Sequence, residues 1–95
     1  MNVHWTEAAL ADLQAAAAHF ARRSPQYAQS LIARIFKCSE RLADHPLFGA
    51  SVEEYDDENL REVFEHPYRI IYRVLPQQVD VVAVVHAARR LPQGF

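Results

Sequence analysis

The stretch Leu60-Arg61-Glu62-Val63-Phe64-Glu65-His66-Pro67-Tyr68-Arg69-Ile70-Ile71-Tyr72-Arg73-Val74-Leu75 decides the fold. It alternates with period two, so successive side chains fall on opposite faces of a strand. Leu60, Glu62 and Phe64 share one face, and Arg61, Val63 and Glu65 the other. After His66–Pro67, where proline cannot donate to a central ladder, Tyr68, Ile70, Tyr72 and Val74 oppose Arg69, Ile71, Arg73 and Leu75. Pro76–Gln77–Gln78 makes a second turn, and Val79–His86 is almost continuously β-branched and apolar, as in a strand covered on both faces. Three such segments form an antiparallel meander. Arg61, Arg69 and Arg73 are costly to bury without partners, which places them on the sheet face that the helices leave open.

Upstream, Ser51–Glu58 carries five carboxylates in eight residues: Glu53, Glu54, Asp56, Asp57 and Glu58. Such a run reads first as a self-repelling, solvated loop, and alternatively as a surface that repels nucleic acid or docks a basic partner. Before it the period is helical. Ser24 followed by Pro25 signals a helix start. Ala28, Leu31, Ile35, Cys38 and Leu42 then form one stripe, flanked by Ile32 and Phe36, until Asp44–His45–Pro46 closes the helix. An earlier helix begins at Thr6, an N-cap residue, and runs through Leu10, Leu13, Ala17 and Phe20 to Arg22–Arg23. Trp5 and Leu10 have the spacing of a hydrophobic staple. Asn2–Trp5 is short and extended. The expected architecture is α+β: an N-terminal strand, then an antiparallel helical hairpin packed on one face of a small antiparallel sheet.

A chain of 95 residues is expected to form one domain, residues 1–95, with about 60–65% of its unfolded surface buried. Hydrophobic residues make up 51% and charged residues 23%, the balance of a packed globule and not of a disordered chain. Twelve acids against ten bases provide no positive field to draw the chain to nucleic acid, so direct sequence-specific DNA binding is not expected. Charge is unevenly placed: residues 1–58 hold nine acids and five bases, residues 59–95 three acids and five bases. No signal peptide is legible at the N-terminus and no apolar run reaches the length of a membrane span. The expected location is the cytoplasm, without membrane association.

The polar residues on the strands are the candidates for chemistry. Arg61, Arg69 and Arg73, with His86 ending the last strand and Arg89–Arg90 just beyond, could grip a phosphate or carboxylate. The histidine could exchange protons near neutral pH. The competing reading is a cross-strand ladder with Glu62, Glu65 and Asp80. His4 and His19 lack a second ligand at zinc-like spacing, so no metal is expected, and with only Gly49 and Gly94 there is no glycine-rich phosphate loop. No cofactor is expected. Cys38 reads as a small core residue, and Tyr68 and Tyr72 as core-facing rings.

Taken in order, Trp5, Ala8, Leu13, Pro25, Ala28, Leu31, Ile35, Leu42, Pro46 and Gly49, then Leu60–Arg61–Glu62, Tyr68–Arg69–Ile70–Ile71–Tyr72–Arg73–Val74 and Val84–Val85–His86 with Arg89–Arg90, resemble the toxins of the RelE/ParE superfamily. Those are the growth-inhibiting halves of bacterial type II toxin–antitoxin pairs, some of which stabilise plasmids. The resemblance implies a cognate antitoxin encoded nearby, whose C-terminal segment folds on binding. It also offers two targets. A ParE-like member inhibits DNA gyrase and is not known as a nuclease; a RelE-like member is an mRNA endonuclease acting on the ribosome, and a third possibility is a non-toxic binding module of the same fold. In the RelE-like case the catalytic candidates are Arg69, His86, Arg89 and Arg90. The acidic run stands where the best-known ribosome-dependent members are lysine-rich, and Gln93–Gly94–Phe95 ends in a side chain that cannot transfer a proton. Both favour the ParE-like branch, as does the negative net charge, since ribosome binding gains from counterion release by basic residues. The surface assigned to target or antitoxin comprises Arg61, Arg69, Tyr72, Arg73, His86, Arg89 and Arg90. Arg69 is expected to be exposed, so that Arg69→Ala reduces toxicity and shifts stability by under about 0.5 kcal/mol; Leu31→Ala or Ile35→Ala is expected to cost about 2–5 kcal/mol through the core.

Overall fold

Thr6 separates the first strand, β1 (Asn2–Trp5), from the first helix, α1 (Glu7–Ala21). In the computed structural model, which describes residues 1–91, its hydroxyl accepts from the amide of Ala9 at 3.1 Å, closing one of the helix's free donors. The helix turns back at Arg22–Ser24. Ser24 caps α2 (Pro25–Glu40) by accepting from the Tyr27 amide, with Pro25 in the first turn. A 3-10 turn, Arg41–Ala43, ends the helical hairpin. The stripe Ala28, Leu31, Ile35, Cys38 and Leu42 is buried throughout. The staple does not form: Leu10 stays exposed, while Trp5 packs in a tilted contact with Phe36, ring centroids 4.8 Å apart, and donates from Nε1 to Ser39.

The remaining strands are β2 (Ala50–Ser51), β3 (Leu60–Glu65), β4 (Tyr68–Val74) and β5 (Gln78–His86), in the sheet order β1-β5-β4-β3-β2. β3, β4 and β5 form the expected meander. The sheet is nevertheless mixed and not antiparallel, because β1 lies parallel to β5, from Asn2 opposite Gln78 to Trp5 opposite Val81. The helical hairpin and strands β2 to β4 separate these two segments in sequence, so no local pattern sets their direction. The two-residue β2 adds to the far edge against Arg61 and Glu62.

Register assigns the faces. Arg61 stands opposite Tyr72, Val63 opposite Ile70 and Glu65 opposite Tyr68, while Glu62 stands opposite Ile71 and Phe64 opposite Arg69. The first set faces the helices, where Val63, Ile70, Tyr72, Val79 and Val81 join Leu13, Leu31, Ile35 and Leu42 in the main core. The second face carries a smaller core of Val52, Leu60, Ile71, Ala83 and Leu91, with Tyr55, Val82 and Val85 at its margin. The apolar composition of β5 follows from this double cover. A register shift between Ile71 and Tyr72 leaves Val82 as the extra residue on β5.

Tyr72 is fully buried, and its hydroxyl accepts the Gly49 amide at 2.8 Å. A Cβ on Gly49 would lie 2.5 Å from the Glu62 carbonyl oxygen and 2.6 Å from the Tyr72 hydroxyl. Gly49→Ala therefore forces the strand or the ring to move, and urea denaturation should show a loss of about 1–3 kcal/mol. An unchanged midpoint would mean that the 45–50 segment yields without cost.

Candidate functional site

The face that the helices leave uncovered is closed by the acidic segment. Val52 and Tyr55 anchor residues 52–59 over β3 and β4, and Glu54 and Asp57 point at the arginines beneath. Arg69 lies at the centre, 6% exposed. Its Nη2 donates to Glu54 Oε1 at 2.8 Å and Glu62 Oε2 at 2.6 Å, Nη1 to Glu54 Oε2 at 2.9 Å, and Nε to Glu62 Oε1 at 3.3 Å. Nη1 also donates to the Arg89 carbonyl, and the Leu91 amide donates to Glu54. Two carboxylates thus grip one guanidinium in the bidentate manner that favours arginine. Arg69 holds the Glu54 carboxyl down at about 2, against an ordinary 4.5. The two carboxylates in turn push the guanidinium higher still.

Asp57 binds Arg73 at 2.8 Å and accepts the Asn59 amide at 3.0 Å. Its carboxyl is lowered, first by that amide and then by Arg73. The expectation of a free, solvated acidic loop is therefore corrected. Glu53, Asp56 and Glu58 are exposed or nearly so, but Glu54 and Asp57 fold inward because the guanidiniums offset their mutual repulsion.

The seven residues assigned to one binding surface separate into three places. Arg69 and Arg73 share the face under the acidic segment. Arg61 is on the opposite face, against expectation, since strand parity pairs it with Tyr72. Its Nη1 donates to the Gly49 carbonyl at 2.8 Å and the Leu47 carbonyl at 3.5 Å, and its Nε is enclosed without a partner among the described residues. Tyr72 is sealed in the core and presents no surface. His86 is exposed at the end of β5, its ring edge-on to Tyr68 at 5.7 Å and its Nδ1 accepting the Ala88 amide. His86, Arg89 and Arg90 do come together, but in a groove of about 670 Å³ between α1 and β5, with Asp12 and His19 on the helix side.

The cross-strand ladder holds in part. Glu62 does pair with Arg69, whereas Glu65 binds Arg34 of α2 at 3.4 Å and Asp80 accepts from Gln78. Neither Glu54 nor Asp12 is among the site residues expected from the sequence. Glu54 gave no signal beyond the carboxylate run, and Asp12 looked like an ordinary polar residue of α1. The expected readings of Gln93–Gly94–Phe95 lie outside the described residues.

Breaking the Arg69 cluster leaves carboxylates buried without a counter-charge. Arg69→Ala should therefore cost about 3–5 kcal/mol, not the small loss of an exposed site, and a melt close to the parent's would show that the acidic segment opens freely. Because the folded pKa of Glu54 is depressed, its stabilisation is complete above its ordinary 4.5 and is lost as pH falls toward about 2. Acid unfolding followed by circular dichroism should be shallower over that window in Glu54→Gln.

The chain matches the family described as "ParE toxin of type II toxin-antitoxin system, parDE" over residues 3–91. It is 38% identical over 89 residues to "Toxin RelE2" of Caulobacter vibrioides, covering 93% of this chain and 97% of that relative. Among solved structures, one chain of "Chromosomal ParDE TA system from P. aeruginosa" has the same fold at a TM-score of 0.76 and 22% identity, covering 90% of this chain and 95% of that one.

Proposed function

The chain belongs to the ParE toxin family of type II toxin–antitoxin systems, and from that premise we propose that it arrests bacterial growth by inhibiting DNA gyrase and is neutralised by a cognate antitoxin encoded beside it. The observation that carries this reading is the closure of Arg69. A nuclease of the RelE-like kind would present the arginine at this sheet position to the message. Here five hydrogen bonds, four of them to carboxylates, already occupy the guanidinium. Replacing them with a phosphate would leave Glu54 and Glu62 unpaired beside the incoming negative charge, which is unfavourable on both counts. The acidic cover also repels a polyanion approaching that face. In this reading the protein acts by binding and is not an enzyme.

The groove bearing His86, Arg89 and Arg90 supports a second reading, because an imidazole beside two guanidiniums suits acid–base cleavage of RNA. One pair of assays separates the two. Purified chain should block supercoiling by gyrase and leave the message intact in a translation reaction read by primer extension. Codon-phased cuts with untouched supercoiling would establish the nuclease instead. Expression of the chain alone should stop growth, and coexpression of the neighbouring gene should restore it; harmless expression of soluble protein would favour the non-toxic binding module.

A further inference from the structure

Three large apolar side chains stand open to solvent at the β3 side of the sheet. Leu47 is 61% exposed, Phe48 65% and Phe64 64%. Phe64 lies on the face of β3 turned from the helices, opposite Arg69. β2 begins at Ala50, which stands opposite Glu62, and continuing that antiparallel register two residues carries Phe48 to the side of Phe64. Together the three expose on the order of 350 Å² of apolar surface, and a patch of that size on a small protein marks an interaction site.

This exposure is held in place. Arg61 Nη1 donates to the Leu47 and Gly49 carbonyls, the buried Tyr72 hydroxyl accepts the Gly49 amide, and the Phe48 amide donates to the His45 carbonyl. A free loop would turn Leu47 and Phe48 inward to bury them; these bonds, on three consecutive residues, keep this one from doing so. Side chains fixed outward in this way lose little freedom on binding, as an anchor residue requires. The charge beside them has one sign. Glu53, Asp56 and Glu58, in the segment that covers the same face, are exposed and carry no ion pair among the described residues. The arginines beneath that segment, Arg69 and Arg73, are held by Glu54, Glu62 and Asp57.

We infer that Leu47, Phe48 and Phe64 are the anchors by which this chain docks on the enzyme it inhibits, at a place where that enzyme presents an apolar pocket bordered by lysine or arginine. This rests on the reading that the chain acts by binding gyrase. An enzyme that handles DNA carries basic surfaces for the phosphate backbone, and an acidic face with aromatic anchors complements such a surface. The carboxylates steer the encounter and the rings supply the buried contact. A second copy of the chain is a poor occupant, because a two-fold contact through this patch brings Glu53, Asp56 and Glu58 of both copies toward one another.

The probe is purified gyrase immobilised on a sensor, with the full chain in solution. Phe48→Ser/Phe64→Thr should weaken binding about tenfold or more with an unchanged melt, since both rings are exposed, and Phe48→Tyr/Phe64→Tyr should bind as the parent does. Leu47→Ser, outside every strand, should weaken binding as well. Glu53→Gln/Asp56→Asn/Glu58→Gln should slow association and flatten its dependence on salt. The inference is overturned, with the gyrase reading intact, if Phe48→Ser/Phe64→Thr binds gyrase as the parent does. It is overturned too if the chain alone self-associates in sedimentation and that variant does not, which makes a second copy the occupant. A parent that fails to bind gyrase ends the gyrase reading, and growth arrest then decides the surface: arrest by the parent that Phe48→Ser/Phe64→Thr has lost supports it for another target, and arrest by both or by neither overturns it.

Discussion

The guanidinium of Arg69 ties together β3, the acidic segment and the C-terminal end of the described chain. It projects from the middle strand of the meander, takes Glu62 from the adjacent strand, and draws Glu54 out of a segment whose own charges would drive it into solvent. Glu54 then accepts the Leu91 amide, and Arg69 reaches the Arg89 carbonyl, so the C-terminal end of the described chain is held to the same point. Burial of a charge is tolerated only when paired and hydrogen-bonded, and here the conditions are met on both sides. Because the cluster is closed, the segment over it can bury Val52 and Tyr55 and complete a second small core with Leu60, Ile71, Ala83 and Leu91.

The consequence is a sheet covered on both faces with two α-helices among the described residues. The main core, under the helical hairpin, follows the usual packing of apolar stripes against strand residues of one parity. The second core depends on charge: the arginines beneath it hold the carboxylate-rich loop against the sheet. The Tyr72 hydroxyl and the Gly49 amide fix the entrance to this segment at 2.8 Å, on the side of the sheet opposite Arg69. The cover is thus held at its start by a tight contact with the main core, and along its length by ion pairs.

This arrangement divides the basic residues by availability. Arg69 and Arg73 are consumed internally, Arg61 is turned toward main-chain carbonyls, and His86, Arg89 and Arg90 remain at the groove beside α1.

Secondary structure was legible in the sequence because its signals are local. Ser24–Pro25 starts a helix wherever it stands, Thr6 caps one, and the alternation from Leu60 to Leu75 makes two strands around a proline turn. The pairing of Glu62 with Arg69 was within reach as one of the alternatives, since a tight turn at His66–Pro67 sets which residues share a face. The resemblance to a toxin family was equally legible, because it is carried by ordered motifs. Other features depended on contacts between distant segments. The parallel direction of β1, the closing of Glu54 and Asp57 onto the sheet, and Asp12 on the Val84 amide each join segments whose local pattern does not specify the partner. The acidic run illustrates the limit: like charges adjacent in sequence repel, and only the fold, by placing Arg69 and Arg73 beneath them, supplies the attractions that outweigh that repulsion.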